Sequence, residues 1–219
     1  MPELLLRNMP YLLGGLLTTL GMAVAVACLG TVLAIPLAIV RWRRVPLLNP
    51  LCAGFIGLVR GMPVLIVLLI AAFAAPALFD TRVPPMLASI VGFTVFLATY
   101  CAEDMRAGLL AVSLPVQEAG AALGLTRWQA VRLIVLPLAL RIAAPALLGQ
   151  YVRMVKYTSV ASVLGVAELT GRGLLVNARV LAPGVILLFL ATCYLVACLS
   201  ISSVGRWLER RADLATRLW

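Results

Sequence analysis

The stretch Glu118-Ala-Gly-Ala-Ala-Leu-Gly-Leu-Thr-Arg-Trp-Gln129 is a polar interruption, rich in small residues, that is followed by an apolar run to Leu136-Pro137. Long uncharged segments lie around it, and they have the length and composition of segments that sit in lipid. A charged pair of capped helices between such segments is more typical of a docking surface than of a passive loop. The stretch therefore predicts a membrane subunit that works with a soluble partner.

The composition of the whole chain also indicates a membrane protein. Of its 219 residues, 63% are hydrophobic and only 12% are charged, and the mean hydropathy is +1.10. Soluble domains are roughly half apolar and about a quarter charged. We therefore expect residues 1–219 to form one polytopic transmembrane domain without an appended catalytic domain.

The ionisable residues argue against other classes of protein. The net charge is +10, but the basic residues flank apolar runs, so membrane topology explains them better than a nucleic-acid partner does. The chain has no His, which is the commonest metal ligand and general base. Its five Cys lack metal-ligand spacing. We expect no metal, no catalytic residue and no cofactor in this chain.

Five membrane-spanning helices are predicted from the apolar runs, since a spanning helix needs about 20 mostly apolar residues. A bent connector with Pro46, Asn49 and Pro50 is expected after the first of them. The five predicted spans cover residues 12–40, 61–79, 83–106, 130–155 and 181–206.

Arginine residues predict the orientation of these spans. Ten lie on one predicted side of the membrane: Arg41, Arg43, Arg44, Arg106, Arg127, Arg132, Arg206, Arg210, Arg211 and Arg217. Four lie on the other side: Arg7, Arg82, Arg172 and Arg179. Cytoplasmic loops carry the excess of basic residues, so we expect the N-terminus outside and the C-terminus in the cytoplasm.

Capping signals divide residues 113–129 of the predicted cytoplasmic side into a short helix, a turn and a second helix. Ser113 and Pro115 are typical of a helix start, and Gly124 fits the C-terminal cap of that helix. Thr126 and Gln129 have the spacing of a capping box that begins the next helix.

This segment resembles the EAA loop of ABC-importer permeases, in which Glu-Ala-Ala, three residues and Gly precede an apolar-Leu-Pro sequence. Glu118, Ala119, Gly124 and Val135-Leu-Pro137 match that pattern, whereas Gly120 stands where the family usually has Ala. The resemblance implies that Glu118, Ala119, Gly120 and Gly124 form a coupling helix that sits in a cleft of an ATPase subunit.

Four further motifs, in the same order, resemble the polar amino acid branch of the family, whose members include histidine, glutamine and arginine types. They are Arg60-Gly-Met-Pro63, Tyr100-Cys-Ala-Glu-Asp-Met-Arg106, Lys156-Tyr-Thr-Ser-Val160 and Gly165-Val-Ala-Glu-Leu-Thr170. The resemblance implies an all-α transmembrane fold, the five-helix, MetI-like fold of type I ABC-importer permeases.

The substrate path that the resemblance implies contains ionisable residues, which are usually paired or functional at membrane depth. Structural roles stay open for some of them: Glu103 can pair with Arg106 three residues later, and Arg141 can snorkel or pair across helices. The implied path residues are Arg60, Gly61, Met62, Tyr100, Glu103, Lys156, Tyr157, Thr158, Ser159 and Glu168.

Two of these residues depart from the pattern of the branch. Met62 stands where the branch has Thr, and Tyr157 stands where it has Asp. A hydroxyl and a carboxylate suited to an ammonium group are therefore missing. Either this subunit binds something less cationic than arginine, or its half of the pocket is degenerate and a different second subunit carries the site.

The resemblance implies a non-catalytic permease subunit of an ATP-driven, binding-protein-dependent importer of polar amino acids in the bacterial inner membrane. The chain lacks a Gly-x-x-x-x-Gly-Lys-Ser/Thr sequence, so ATP and Mg²⁺ are expected on a partner. The implied partners are two ATPase subunits, a second permease subunit of the same or a homologous kind, a periplasmic or extracellular solute-binding protein, the amino-acid substrate and membrane lipid.

Three alternatives stay open at this point. The solute can be methionine, an osmolyte or an opine-like amino acid derivative. The chain can be a secondary transporter or channel driven by an ion gradient, although such a protein needs no docking helix. It can also be a non-transporting membrane scaffold, which would explain the hydrophobicity but not the stretch at Thr158 and Ser159.

Overall fold

The structure, a computed structural model, describes residues 2–78, 82–112 and 124–216. Every regular element within these ranges is helical. Seven main helices follow one another: α1 (Pro2–Arg43), α2 (Leu48–Gly61), α3 (Val64–Leu78), α4 (Pro85–Ala111), α5 (Leu136–Tyr157), α6 (Leu169–Val180) and α7 (Pro183–Thr216). Glu118, Ala119 and Gly120 of the predicted coupling helix lie outside the described residues.

Four helical segments in the described part of the chain are long and apolar enough to cross a membrane. They are Arg7–Arg43, Pro85–Ala111, Trp128–Leu164 and Pro183–Trp207. The pair α2 and α3, bent by 109°, makes a fifth crossing if it is counted as one span. These segments overlap the five apolar runs of the sequence, although α3 alone is shorter than the about 20 residues of a straight span.

Helix α2 replaces much of the bent connector that the sequence led us to expect. Pro50 lies in its first turn, where a proline removes no needed backbone donor. The bend is confined to the residues before it, since Arg44 and Leu47 have φ values of 50° and 66°. Met62 then leaves the helical conformation, with φ −95° and ψ 144°, because a residue before proline is pushed towards extended backbone.

Helix α4 is the centre of the protein. In its most apolar stretch 56% of the residues are buried, against 17–28% in the other three candidate spans. Small residues bring its neighbours close: a side chain at Gly108 would collide with the backbone of Ala139 and with Ala143 on α5. Large apolar side chains on α1 and α7 remain exposed, among them Leu17 and Leu188. These outer surfaces therefore suit lipid or partner subunits rather than water.

Candidate functional site

Three of the predicted path residues come from three helices and are connected by ring contacts: Tyr100 and Tyr157 through Phe96, and Arg60 through Tyr100. The guanidinium carbon of Arg60 lies 4.8 Å from the ring centroid of Tyr100, within the range of a cation–π contact. The Phe96 ring centroid is 4.9 Å from that of Tyr100 and 5.7 Å from that of Tyr157, edge to face. We call Arg60, Phe96, Tyr100 and Tyr157 the aromatic cluster. It joins the ends of α2 and α5 to the middle of α4.

Phe96 is the member of the aromatic cluster that sequence reasoning missed. It is nearly fully buried, with 5% of its surface exposed, and it lies one helical turn before Tyr100. The signal that could have found it is this four-residue spacing, which puts two side chains on the same face of a helix.

Gly61 and Met62 lie next to Arg60, at the break between α2 and α3. A side chain at Gly61 would meet open space, and Gly61 itself is exposed. Met62 is half-buried and packs against the same core as Tyr100 and Tyr157. The two departures from the family pattern, Met62 and Tyr157, therefore belong to one region of the fold.

Glu103 is held by two arginines. Its Oε2 accepts from Arg106, with a shortest distance of 2.7 Å to Nη2, and its Oε1 accepts from Arg41 Nε at 3.2 Å. Arg41 also donates through Nη1 to Asn49 Oδ1 at 2.7 Å. The structural alternative of a Glu103–Arg106 pair is therefore present, and Arg41 extends it into a bridge between α1, α2 and α4.

The path residues at the end of α5 lie where the helix tightens into a 3₁₀ helix, Thr158–Leu164. The hydroxyls of Thr158 and Ser159 each donate to a backbone carbonyl three residues earlier, at 2.7 Å. Such bonds satisfy carbonyls at a helix end. Thr158 is buried, whereas Lys156 is exposed. The described hydroxyl bonds therefore stabilise irregular backbone beside the aromatic cluster.

Glu168 occupies a different place in the fold from the other path residues. It is fully buried and caps the N-terminus of α6. Its carboxylate accepts from Thr170 N at 2.9 Å, Gly171 N at 2.7 Å, Thr19 Oγ1 at 3.2 Å and Tyr194 Oη at 2.8 Å. Because Thr19 is on α1 and Tyr194 is on α7, these bonds join three helices. We call this arrangement the Glu168 junction.

Close backbone contact completes the Glu168 junction. Thr19 Oγ1 accepts from Leu169 N at 3.1 Å, and a side chain at Gly15 would press on the backbone of Leu169. Arg172 reaches back from α6 and donates to Tyr11 O at 2.9 Å. Helices α1 and α6 are therefore fixed to each other by both hydrogen bonds and close packing.

The described end of the predicted coupling segment contains the expected capping box, whereas the helix that Gly124 was predicted to end lies outside the described residues. Gly124 has φ 74°, a left-handed conformation that is common at helix C-termini. Thr126 N donates to Gln129 Oε1 at 2.9 Å, and Gln129 N donates to Thr126 Oγ1 at 3.3 Å. These reciprocal bonds confirm the predicted capping box. A π-helical turn, Val131–Val135, then leads into α5, with Pro137 in its first turn.

Comparisons with known proteins agree with the fold described above. Residues 28–214 match the family model described as "Binding-protein-dependent transport system inner membrane component". The glutamine transport system permease protein GlnP of Escherichia coli (strain K12) is 35% identical over 206 residues, which cover 94% of each chain.

Two solved structures share the fold. A chain in the crystal structure of an amino acid ABC transporter with histidines has a TM-score of 0.88 and 26% identity, covering 94% of this chain and 96% of the other. A chain of the MetNI methionine ABC transporter has a TM-score of 0.81 and 22% identity, covering 94% and 97%. These matches confirm the predicted resemblance and the all-helical, MetI-like fold class.

Proposed function

The chain belongs to the family of inner membrane components of binding-protein-dependent transport systems, and we propose that it forms half of the path of an ATP-driven importer of polar amino acids. As a permease subunit, it is a multi-pass membrane protein whose family works with an ATPase and a solute-binding protein. The proposed assembly has two ATPase subunits and a second permease subunit, of the same or a homologous kind, in the bacterial inner membrane. The names of the similar proteins support amino-acid cargo, since one is a glutamine transport permease and another is an amino acid ABC transporter.

The observation that carries this proposal is the aromatic cluster. Arg60, Tyr100 and Tyr157 come from three helices, and two of them lie where regular helix gives way, at the α2–α3 break and at the start of the 3₁₀ helix. Irregular backbone at membrane depth occurs where it is buried in protein or lines a cavity. A half-buried surface with a cation and two phenol rings suits the passage of a polar solute better than contact with lipid.

The coupling residues extend the proposal to the energy source. In the proposed orientation Glu118, Ala119, Gly120 and Gly124 lie in the cytoplasm and contact an ATPase subunit. The left-handed Gly124 and the adjacent capping box support a sharp reversal between a coupling helix and α5. Closure of two ATPases around ATP then moves both coupling helices and rocks the two permease subunits between outward- and inward-facing states.

Uptake into proteoliposomes that contain the chain, its ATPase and its solute-binding protein tests this coupling. We expect amino-acid uptake that requires ATP, and we expect Glu118→Lys to reduce it at least tenfold because the reversed charge faces the ATPase cleft. Glu3→Lys makes the same chemical change near the N-terminus, on the other proposed side of the membrane, and should leave uptake within twofold. Transport without ATP, or full transport by Glu118→Lys, would overturn the proposal.

The two departures from the family pattern offer a test of the path itself. If Tyr157 faces the solute, Tyr157→Asp restores a carboxylate and should shift preference towards cationic amino acids. The measurement is competition of a panel of unlabelled amino acids against one labelled substrate. An unchanged order of competitors would show that Tyr157 does not face the path, even where ATP-driven uptake is intact.

A further inference from the structure

A groove of about 450 Å³ between α5 and α7 is lined by three exposed cationic side chains. Arg153 and Lys156 project from α5, where their three-residue spacing puts them on one face, and Arg206 projects from α7. The remaining wall is small or apolar, apart from one hydroxyl: Pro145, Leu148, Gly149, Val152 and Ser202.

No carboxylate whose side chain the structure describes balances the positive charge of this groove. Both ion pairs found among the described residues involve Glu103, and no described carboxylate lines the groove. Arg206 donates to a neutral partner, Ser203 Oγ, at 3.3 Å. Arg153 and Lys156 lie inside the candidate span Trp128–Leu164. Cations in such segments usually pair with an anion or mark a solute path.

The groove opens away from the face of α5 that α1 covers. On that covered face Tyr151 Oη shares a hydrogen bond of 2.8 Å with Thr31 Oγ1, and Val155 packs with Ala23 of α1. Arg153 and Lys156 lie on the uncovered face, and Lys156 directly precedes Tyr157 of the aromatic cluster. The groove and the proposed path therefore meet at two consecutive residues of the chain, Lys156 and Tyr157.

We propose that this groove binds the carboxylates of the transported amino acid, and that the cargo is acidic. The inference rests on the proposed function and names its substrate class. An acidic amino acid presents two carboxylates against one ammonium group, so it gains most from three cations. A cationic amino acid is repelled by the same groove. Tyr157 also lacks the carboxylate with which the branch would attract an ammonium group. The expected order of affinity is acidic, then neutral, then basic.

Equilibrium binding of labelled L-glutamate, L-glutamine and L-arginine to the solubilised complex of the chain with its ATPase tests this order. We expect L-glutamate to bind at least tenfold more tightly than L-arginine. Arg153→Gln and Lys156→Gln should each weaken L-glutamate binding at least tenfold and L-glutamine binding less. Arg141→Gln removes an exposed arginine of the same helix that does not line the groove, and it should change nothing. Retained assembly with the ATPase shows that the variants fold.

Equal affinity for the three amino acids, tighter binding of L-arginine, or unchanged binding in both groove variants would overturn the inference. A lipid phosphate is the other source of an anion. Enrichment of phosphatidylglycerol around the wild type in mixed nanodiscs, lost in Lys156→Gln without a change in amino-acid affinity, would assign the groove to lipid and also overturn it. Failure of the proposed function is distinct, because it would abolish ATP-driven uptake of every amino acid.

Discussion

Glu103 and Glu168 are two carboxylates in apolar helices of one chain, and the fold compensates their charges in opposite ways. Glu103 lies between Arg41 and Arg106, with 14% of its side chain exposed. Glu168 is fully buried and is held by two backbone amides and two hydroxyls. Glu103 is compensated by two cations on long side chains, whereas Glu168 is compensated by four dipoles, two of which the backbone fixes in place.

This difference in partners predicts how much each carboxylate contributes to the stability of the fold. An ion pair that water and salt can reach contributes little to stability, because both side chains lose freedom and both charges are well solvated when apart. A buried carboxylate at a helix N-terminus meets donors that already point at it, and its loss would leave those donors without acceptors. We therefore expect Glu168 to determine stability and Glu103 to contribute a modest, adjustable link.

Glu168→Ala should have the largest effect. Four donors lose their acceptor in a buried site, and we expect the free energy of unfolding to fall by about 3 kcal/mol. Unfolding by SDS in mixed micelles measures this change. Glu168→Gln keeps one acceptor oxygen and should cost clearly less. A stability of Glu168→Ala equal to that of the wild type would remove the distinction between the two carboxylates.

Thr19→Val should have an intermediate effect, about 2 kcal/mol, because it removes a donor to Glu168 and the acceptor for Leu169 N. The same unfolding measurement applies. Thr18→Val is a matched control, since the Thr18 hydroxyl donates to Gly14 O within its own helix at 3.0 Å. If the two valine variants lost equal stability, the junction would not be a linked network.

Glu103→Gln should have the smallest effect, about 1 kcal/mol at low salt. Because salt screens partly exposed charges, the difference between the wild type and Glu103→Gln should shrink as NaCl is raised. The difference caused by Glu168→Gln should stay constant over the same range. A salt-independent Glu103 effect would mean that its ion pairs are as sheltered as the Glu168 junction.

Features set by neighbouring residues could be predicted from the sequence. The Thr126–Gln129 capping box and the Glu103–Arg106 contact both follow from a spacing of three residues within one helix. The apolar runs likewise indicated where the long helices lie, since length and composition alone decide that property. The family resemblance rested on the order of such local motifs.

Features set by distant residues could not be predicted in this way. Thr19 and Glu168 are 149 positions apart, and Arg41 and Glu103 are 62 apart. No periodicity in the sequence pairs such residues. The sequence indicates Arg41 only as a basic residue of the predicted cytoplasmic side, and Glu168 only as a path residue. Helix α2 was not predicted because Asn49 and Pro50 in its first turn, with Pro46 just before it, are equally typical of a connector.

Helix α1 is attached to the rest of the protein near its middle and near its C-terminal end, and the two attachments are unequal. Thr19 fixes one part to α6 and α7, whereas Arg41 ties the other part to α2 and α4. These points lie about 33 Å apart along a helix that rises 1.5 Å per residue. The helix is therefore a strut with a rigid joint at Thr19 and a more compliant one at Arg41. Because Gly30 of α1 also packs closely on Leu97 of α4, a change in the distance between α4 and α6 along this strut would disturb both that packing and the Arg41 link.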